Sequence, residues 1–305
     1  MRRLHRRRLD RMHRPVAISF WSFIFVISIL TGVALAEKGE KPSPFPWKSG
    51  YSVLVMAHRG FSGIAPENTL AAFQRAIQIG SDFIELDVRF TQDGKLVVFH
   101  DDTLERTTNG RGRVAAFTLQ ELKKLDAGSW FGLSFFDQKI PTLTEVLHFA
   151  KGRILVNIEL KKGDHGRYTM IDLAERALKE VQESGMEGQV LFSSFDLEAV
   201  KHLYQKDPSI PVALITRNPF TSPGDLWGPT SLPFLNARKS TLTETNLAKA
   251  HQQGVRIIVW TVDLEEEMEK FLSMGVDGLI TNYPDRLIRI LEKGPGPRSP
   301  FLSDR

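Results

Sequence analysis

Seven residues of this chain carry side chains that together suit phosphate chemistry: His58, Arg59, Glu85, Asp87, His100, Glu159 and Lys161. His58 and Arg59 follow the apolar run Val53-Leu54-Val55-Met56-Ala57 directly. In DFIELDV, Glu85 and Asp87 are two residues apart, and in ILVNIELKK so are Asn157, Glu159 and Lys161. Residues at that spacing share one face of a strand. Two acids on one strand and a third on another make a hard-oxygen site suited to Mg²⁺ or Ca²⁺. Left unneutralised, three buried carboxylates would raise one another's pKa, so a cation or basic neighbours must accompany them. Arg59, Lys161 and a metal could together grip a phosphate. Taken singly, a histidine at a strand end or a Glu-x-Asp pair is more often structural or solvated. The weight lies in seven such residues falling at the carboxyl ends of expected strands or on a paired hairpin.

The elements that must position them are legible as short apolar runs at 53–57, 82–88, 153–160, 189–193, 211–215, 231–236, 255–260 and 277–281. Helical patterns lie between most of them, at 68–79, 142–151, 168–184, 196–206, 243–253 and 264–273, with 285–292 after the last. Eight alternations of strand and helix predict an α/β fold, a (β/α)8 TIM barrel. The segment 216–235 contains four prolines and predicts an irregular loop where a helix would otherwise stand. Asp93-Gly94 sits between two extended runs, the favoured pair for a tight hairpin. A turn centred there places Asp87 opposite His100 and makes 95–100 an extra hairpin strand. Residues 101–141 become an insertion at the carboxyl end of the second barrel strand, the end where barrel active sites lie.

At 305 residues the chain has room for one such barrel. Its formal charge of +4 is concentrated in residues 1–15, which hold seven arginines and one aspartate, so the remainder is slightly acidic. A nucleic-acid surface is therefore not expected. Residues 16–36, VAISFWSFIFVISILTGVALA, are uncharged and long enough to cross a bilayer. The preceding arginines favour a cytoplasmic N-terminus. The expectation is a signal peptide, cleaved after Ala36, or a retained membrane anchor, with the catalytic domain on the outer side of the cytoplasmic membrane in either case. Residues 37–50 read as a Pro/Lys-rich linker, 51–292 as the barrel domain and 293–305 as a disordered tail. The absence of cysteine excludes disulfides, thiolate metal sites and a cysteine nucleophile.

The stretches AHRGFSGIAPENTLAAF, FIELDVRFTQDGKLVVFHDDTLERTTNGRGRV, IPTLTEVL, VNIELK, LFSSFD, VRIIVWTVD and VDGLITNYPD resemble, in order, the glycerophosphodiester phosphodiesterase family. The resemblance spans roughly residues 53–291. It implies a barrel enzyme that hydrolyses glycerophosphodiesters to sn-glycerol 3-phosphate and an alcohol. His58 and His100 match the family's acid and base, and Glu85, Asp87 and Glu159 its ligands for one divalent cation, Mg²⁺ or Ca²⁺. Arg59 and Lys161 match phosphate-binding positions, and Trp260 an aromatic residue near the glycerol. Within PENT, Glu67 is expected to orient Arg59, and Asn68 to cap the helix beginning near Thr69. Gly60 is expected to let the backbone approach the phosphate. The aromatics of SWFGLSFF, 129–136, either cover the site's mouth or pack the insertion's own core, with packing favoured. The chain departs from the family at Asp263, where Asn is common, and at Asn282, where Asp is common; neither is expected to carry the chemistry. The rival expectations are a lysophospholipase D acting on membrane-derived lipids and, in another class, an inactive binding barrel.

Overall fold

The computed structural model describes residues 52–164, 166–228 and 232–293. The N-terminal basic and apolar segments, the linker 37–50 and residues 294–305 lie outside the described residues. Eight parallel strands form the barrel: β1 (Leu54–Ala57), β2 (Phe83–Phe90), β4 (Leu155–Leu160), β5 (Val190–Ser194), β6 (Val212–Thr216), β7 (Phe234–Arg238), β8 (Arg256–Trp260) and β9 (Gly278–Thr281). Each pairs with its neighbour, and β1 closes the ring by pairing with both β9 and β2. Between strands run α1 (Leu70–Gln78), α3 (Leu143–Ala150), α4 (Met170–Ser184), α5 (Leu197–Lys206), α7 (Glu244–Gln252) and α8 (Glu265–Met274), and α9 (Pro284–Lys293) follows β9. The expected (β/α)8 barrel is the fold.

Strand side chains alternate between two cores, as the period of two requires. Val55 and Ala57 pack outward among the helices, whereas Leu54 and Met56 point into the barrel. The barrel interior is filled by Leu54, Met56, Phe83, Leu191, Ala213, Phe234, Ile258 and Ile280. Parallel strands covered on both faces need apolar residues at nearly every position, which is why these strands read as continuous apolar runs. Counting in steps of two from the interior residues toward the carboxyl ends reaches the polar positions. Met56 leads to His58, Phe83 to Glu85 and Asp87, and Ile280 to Asn282. The interior face turns from apolar to polar at the mouth.

The helix starts are chemically marked. Thr142, Thr169 and Thr243 each cap α3, α4 and α7 reciprocally with the residue three positions on. At α1 the cap is Thr69, whose side chain accepts from Ala72 N, and not Asn68 as expected. Asn68 stands one residue too early and adopts a left-handed φ of 57°.

The hairpin forms, with a register that differs from the expected one. Strand β3 (Leu96–Val98) pairs antiparallel with β2 through Val88↔Val98, Arg89↔Val97 and Phe90↔Leu96. Thr91 and Lys95 bond across the turn, so the loop is three residues long, with Gly94 at φ 73°. Pairing Asp87 with His100 requires a two-residue loop; the extra residue slips the register by one. Asp87 O therefore accepts from Phe99 N, and His100 lies just beyond the strand.

The insertion, which carries the one-turn helix α2 (Leu119–Leu122), has a small core of Val97, Phe99, Leu104, Val114, Leu122, Ala127 and Ile140. Phe131 packs edge-on against both Trp130 and Phe135, while Leu133 and Phe136 are 86% and 71% exposed. Between β6 and β7 the described residues, 217–228 and 232–233, are irregular except for the single turn α6 (Gly224–Trp227), which buries Trp227, as the prolines predict. Among the described residues no helix is long and apolar enough to cross a membrane.

Candidate active site

The carboxyl ends of the strands enclose a cavity of about 230 Å³ lined by His58, Arg59, Glu85, His100, Glu159, Lys161 and Trp260 among others. Asp87 is buried directly beside them, 1% exposed. Each of the seven residues singled out from the sequence thus lies at one end of the barrel.

Strands β2 and β4 run in parallel register with Asp87 opposite Glu159, which brings three acids together. Oxygens of Glu85, Asp87 and Glu159 lie within 4.8 Å of one another. Two cations compensate them. Lys161 Nζ reaches Glu159 Oε1 at 2.6 Å and Asp87 Oδ1 at 3.3 Å. Arg59 Nε approaches Asp87 Oδ2 at 3.4 Å, and Arg59 N donates to Glu85 Oε2 at 2.8 Å. Burial resists ionisation of Asp87, but the Lys161 and Arg59 charges outweigh it and hold its carboxyl well below the usual range. Burial pushes Glu85 well above the ordinary value, helped by the charges of Asp87 and Glu159. Glu159 also rises through burial, against the pull of Lys161. The set fits a divalent metal: three hard oxygen donors converge, and buried Asp87 Oδ1 makes no hydrogen bond, its nearest compensating charge being Lys161 Nζ at 3.3 Å.

Backbone geometry delivers Arg59. Arg59 and Gly60 both have positive φ, 55° and 82°, and Asn68 N bonds back to Arg59 O. The need for glycine at 60 is clear from its neighbours: a Cβ would come within 2.8 Å of the Ala72 Cβ on α1. Packing against α1 by itself requires glycine here. Glu67 does pair with Arg59, Oε1 to Nη1 at 2.7 Å. Asn68, which does not cap α1, donates from Nδ2 to Asp87 Oδ2 at 2.8 Å and so braces the acid cluster.

Each histidine is anchored through Nδ1. His58 Nδ1 lies 2.7 Å from Asn282 Oδ1, and His100 Nδ1 lies 2.5 Å from Asp101 Oδ1. An amide oxygen or a carboxylate can only accept, so each Nδ1 carries a proton, and in the neutral ring Nε2 is left bare. Burial and the Arg59 charge lower the His58 imidazole to about 4, and burial also lowers His100. Asp101 is held in turn by Arg106 Nε at 2.6 Å, and Arg106 forks onto Glu67 at 2.7 and 2.8 Å.

On the far wall, Trp260 Nε1 donates to Asn236 O at 2.9 Å, and its ring meets Phe195 edge-on at 5.6 Å. Arg217 lies over Phe195, 4.5 Å from its centroid. Sequence reasoning missed Asp101, Arg106, Phe195, Arg217, Asp263 and Asn282. The last pair was set aside although Asn282 holds His58. Phe195, Arg217 and Asn282 were findable, since each continues the inward-facing step of two on its strand. Of the aromatics in 129–136, none lines the cavity.

The barrel mouth gathers an acid triad that could hold a metal ion, two cations and two anchored imidazoles, a set suited to phosphoric ester hydrolysis. Comparison with known proteins is more specific: residues 58–286 match the glycerophosphoryl diester phosphodiesterase family, and the chain belongs to it. It is 40% identical over 242 residues to the glycerophosphodiester phosphodiesterase of Caldanaerobacter subterraneus subsp. tengcongensis, covering 79% of this chain and 98% of that one. It is 34% identical to the glycerophosphodiester phosphodiesterase of Bacillus subtilis strain 168, covering 93% and 99%. Among solved structures it resembles an Oleispira antarctica phosphodiesterase in complex with the product sn-glycerol-3-phosphate. That match has a TM-score of 0.75 and 30% identity, over 81% of this chain and 100% of the other.

Proposed function

We propose that this enzyme hydrolyses glycerophosphodiesters to sn-glycerol 3-phosphate and an alcohol, with a divalent cation, Mg²⁺ or Ca²⁺, held by Glu85, Asp87 and Glu159. The observation that carries the reading is the convergence of those acids with Arg59, Lys161 and the bare Nε2 atoms of two histidines on one small cavity. When bound, the metal supplies Lewis-acid polarisation of the phosphoryl group.

The chain's own groups account for the rest. Arg59 and Lys161, fixed by buried carboxylates, meet the growing negative charge on the non-bridging oxygens without reorganising. One imidazole Nε2 takes the proton of the attacking hydroxyl as its oxygen bonds phosphorus. The other histidine, in its protonated form, gives its proton to the alkoxide as the bond from phosphorus to that oxygen breaks. With water as nucleophile this step gives sn-glycerol 3-phosphate directly; with the substrate's own glycerol hydroxyl it gives a cyclic glycerol phosphate, which water then opens as the two histidines exchange roles. Trp260 and Phe195 offer an apolar wall to the glycerol carbons.

The lysophospholipase D reading requires room for an acyl chain. The small cavity, with none of residues 129–136 in its lining, favours water-soluble diesters. The test is release of sn-glycerol 3-phosphate from glycerophosphocholine, with chelator and then metal restored. Loss on chelation and recovery with Mg²⁺ or Ca²⁺ is expected; full activity in demonstrably metal-free enzyme would refute the carboxylate assignment. Preference for a lysophospholipid in the same panel would reverse the ranking of substrates.

We further propose, from the arginine-rich flank and the apolar stretch 16–36, that the barrel works outside the cytoplasmic membrane. N-terminal sequencing of protein from its host decides its form: a start at Glu37 means a released enzyme and an intact N-terminus an anchored one. An active, unprocessed protein free in the cytosol would overturn the reading.

A further inference from the structure

We propose that Asn282 and Asp263 form a positioning pair that locks His58 in one tautomer, with the acid placed one residue behind the amide that touches the ring. Three hydrogen bonds fix the geometry. Asn282 Nδ2 donates to Asp263 Oδ2 at 2.7 Å, and Asn282 N donates to Asp263 Oδ1 at 2.9 Å. Thr281 Oγ1, which is buried, donates to the same Oδ1 at 3.2 Å. A carboxylate accepts and cannot donate, so the Asn282 amide must present its nitrogen to Asp263. Its oxygen is thereby turned toward His58 Nδ1 at 2.7 Å, where it also receives Ser62 Oγ at 2.7 Å. The orientation of the amide decides the tautomer of the ring: Nδ1 bears hydrogen, and Nε2 faces the reaction with its lone pair. Asp263 thus acts on His58 without touching it.

The fold explains why these residues meet. Strand β9 ends at Thr281, so Asn282 takes the next inward position after Ile280, beside β1, whose chain continues into His58. His58 N bonds to Thr281 O at 2.9 Å, which fixes the two strand ends against each other. Asp263 follows β8 on the other side of β9. Three adjacent strand ends therefore supply ring, amide and acid in order.

An acid at 282 with an amide at 263 would give the same chain of bonds with the charge moved next to the ring. A single change at either position would not. Asp263→Asn leaves one acceptor where Asn282 N and Nδ2 together use two; with that oxygen kept on the backbone N–H, the new NH2 faces the Asn282 amide, which must present its oxygen there, turn its nitrogen to His58 and force the proton onto Nε2. Asn282→Asp sets two carboxylates face to face at contact distance.

The pair rests on the hydrolase reading only for its rate consequence, and the test separates the two. Full-length protein carrying ¹⁵N-histidine, with His58 assigned through His58→Gln, reports the tautomer directly from the ring nitrogen shifts. The expected result is Nδ1–H in the unaltered chain and a population of Nε2–H in Asp263→Asn. On glycerophosphocholine, Asp263→Asn and Asn282→Asp should each lose about 10²-fold in kcat with little change in KM, the scale of one general acid–base group. The exchange carrying both changes should recover most of that loss and restore the Nδ1–H signal. A merely structural role would lower thermal stability in all three without moving the tautomer. The proposal is overturned if Asp263→Asn keeps the Nδ1–H tautomer and its kcat, or if the double exchange is no better than the worse single variant. Should the unaltered enzyme hydrolyse no glycerophosphodiester, the functional reading falls while the ring signals still decide the pair.

Discussion

The two histidines face one cavity but are mounted differently. His58 is held by a neutral amide, backed by Asp263, with every member on adjacent barrel strand ends. His100 is held by a carboxylate, Asp101, backed by Arg106 and through it by Glu67 and Arg59. The first mount belongs to the barrel frame. The second joins the insertion to the loop after β1, and Arg106 is 45% exposed in its side chain. The contrast teaches that the barrel alone anchors one imidazole and an added loop anchors the other, at the cost of an accessible and charge-dependent anchor.

The largest effect should come from the rings themselves. His58→Ala and His100→Ala are each expected to lower kcat by about 10²- to 10⁴-fold, the range of a general acid or base. Steady-state kinetics with saturating metal measures this. A variant that keeps nearly full kcat would break the comparison, because only one mount would then carry a proton.

Next in size are the anchors of His100. Arg106→Gln removes the fork onto Glu67 and the bond to Asp101 together. Its effect on stability should be within about 1 kcal/mol, as for other exposed ion pairs, while kcat falls by about tenfold because both Asp101 and the Glu67–Arg59 pair lose their brace. High salt should weaken the unaltered enzyme in the same direction, since the pair is exposed to screening. Thermal melts beside kinetics separate the two effects; a large melt shift with unchanged kcat would make Arg106 a structural tie only.

The frame was legible in the sequence and the mounts were not, for a physical reason. Parallel strands buried on both faces must be apolar runs, so the eight barrel strands were found within a few residues. The step of two then placed Glu85 with Asp87 and Asn157 with Glu159 on the inward face. Long-range partners have no such local rule. Nothing near Arg106 in the chain announces Glu67, 39 residues away, and nothing near His58 announces Asn282. Local chemistry also misled where two residues competed: Asn68 and Thr69 are both good caps, and only the proximity of Asp87 decides that Asn68 is spent elsewhere. The hairpin slip has the same origin, because Asp-Gly serves loops of two or three residues and the bond from Thr91 to Lys95 selects the longer.

Acid should separate the mounts by pH. His58 has its folded value lowered from 6.5 to about 4, so the unfolded chain binds the proton first. That contribution to stability is complete above 6.5 and is lost as pH falls toward 4. Asp101 is lowered from 3.8 to about 2, where the bonds from Arg106 and His100 overcome its burial. Its contribution is present above 3.8 and is lost as pH falls toward 2. Glu85 and Glu159, both raised, act with the opposite sign, so the comparison is made between variants. Urea midpoints of metal-free protein between pH 7 and 4 should decline less steeply in His58→Gln than in the unaltered chain. Identical slopes would mean that the amide mount does not keep the ring neutral.

The smallest effect is expected at the tip of the insertion, where the exposed mount meets solvent. Leu133 and Phe136 are 86% and 71% exposed and neither lines the cavity, whereas Phe131 and Phe135 pack on each other. Leu133→Ser and Phe136→Ser remove apolar surface that is already in water, so stability should stay within about 0.5 kcal/mol. The path from the insertion to His100 runs through Asp101 and Arg106, which these changes leave intact. Activity on glycerophosphocholine and on a lysophospholipid should therefore shift equally and by no more than about twofold, the rate equivalent of that free energy. A selective loss on the lysophospholipid would place an acyl chain against the tip, since each buried methylene is worth about 0.8 kcal/mol. The added loop would then hold a proton-transfer group at its base and select the substrate at its end.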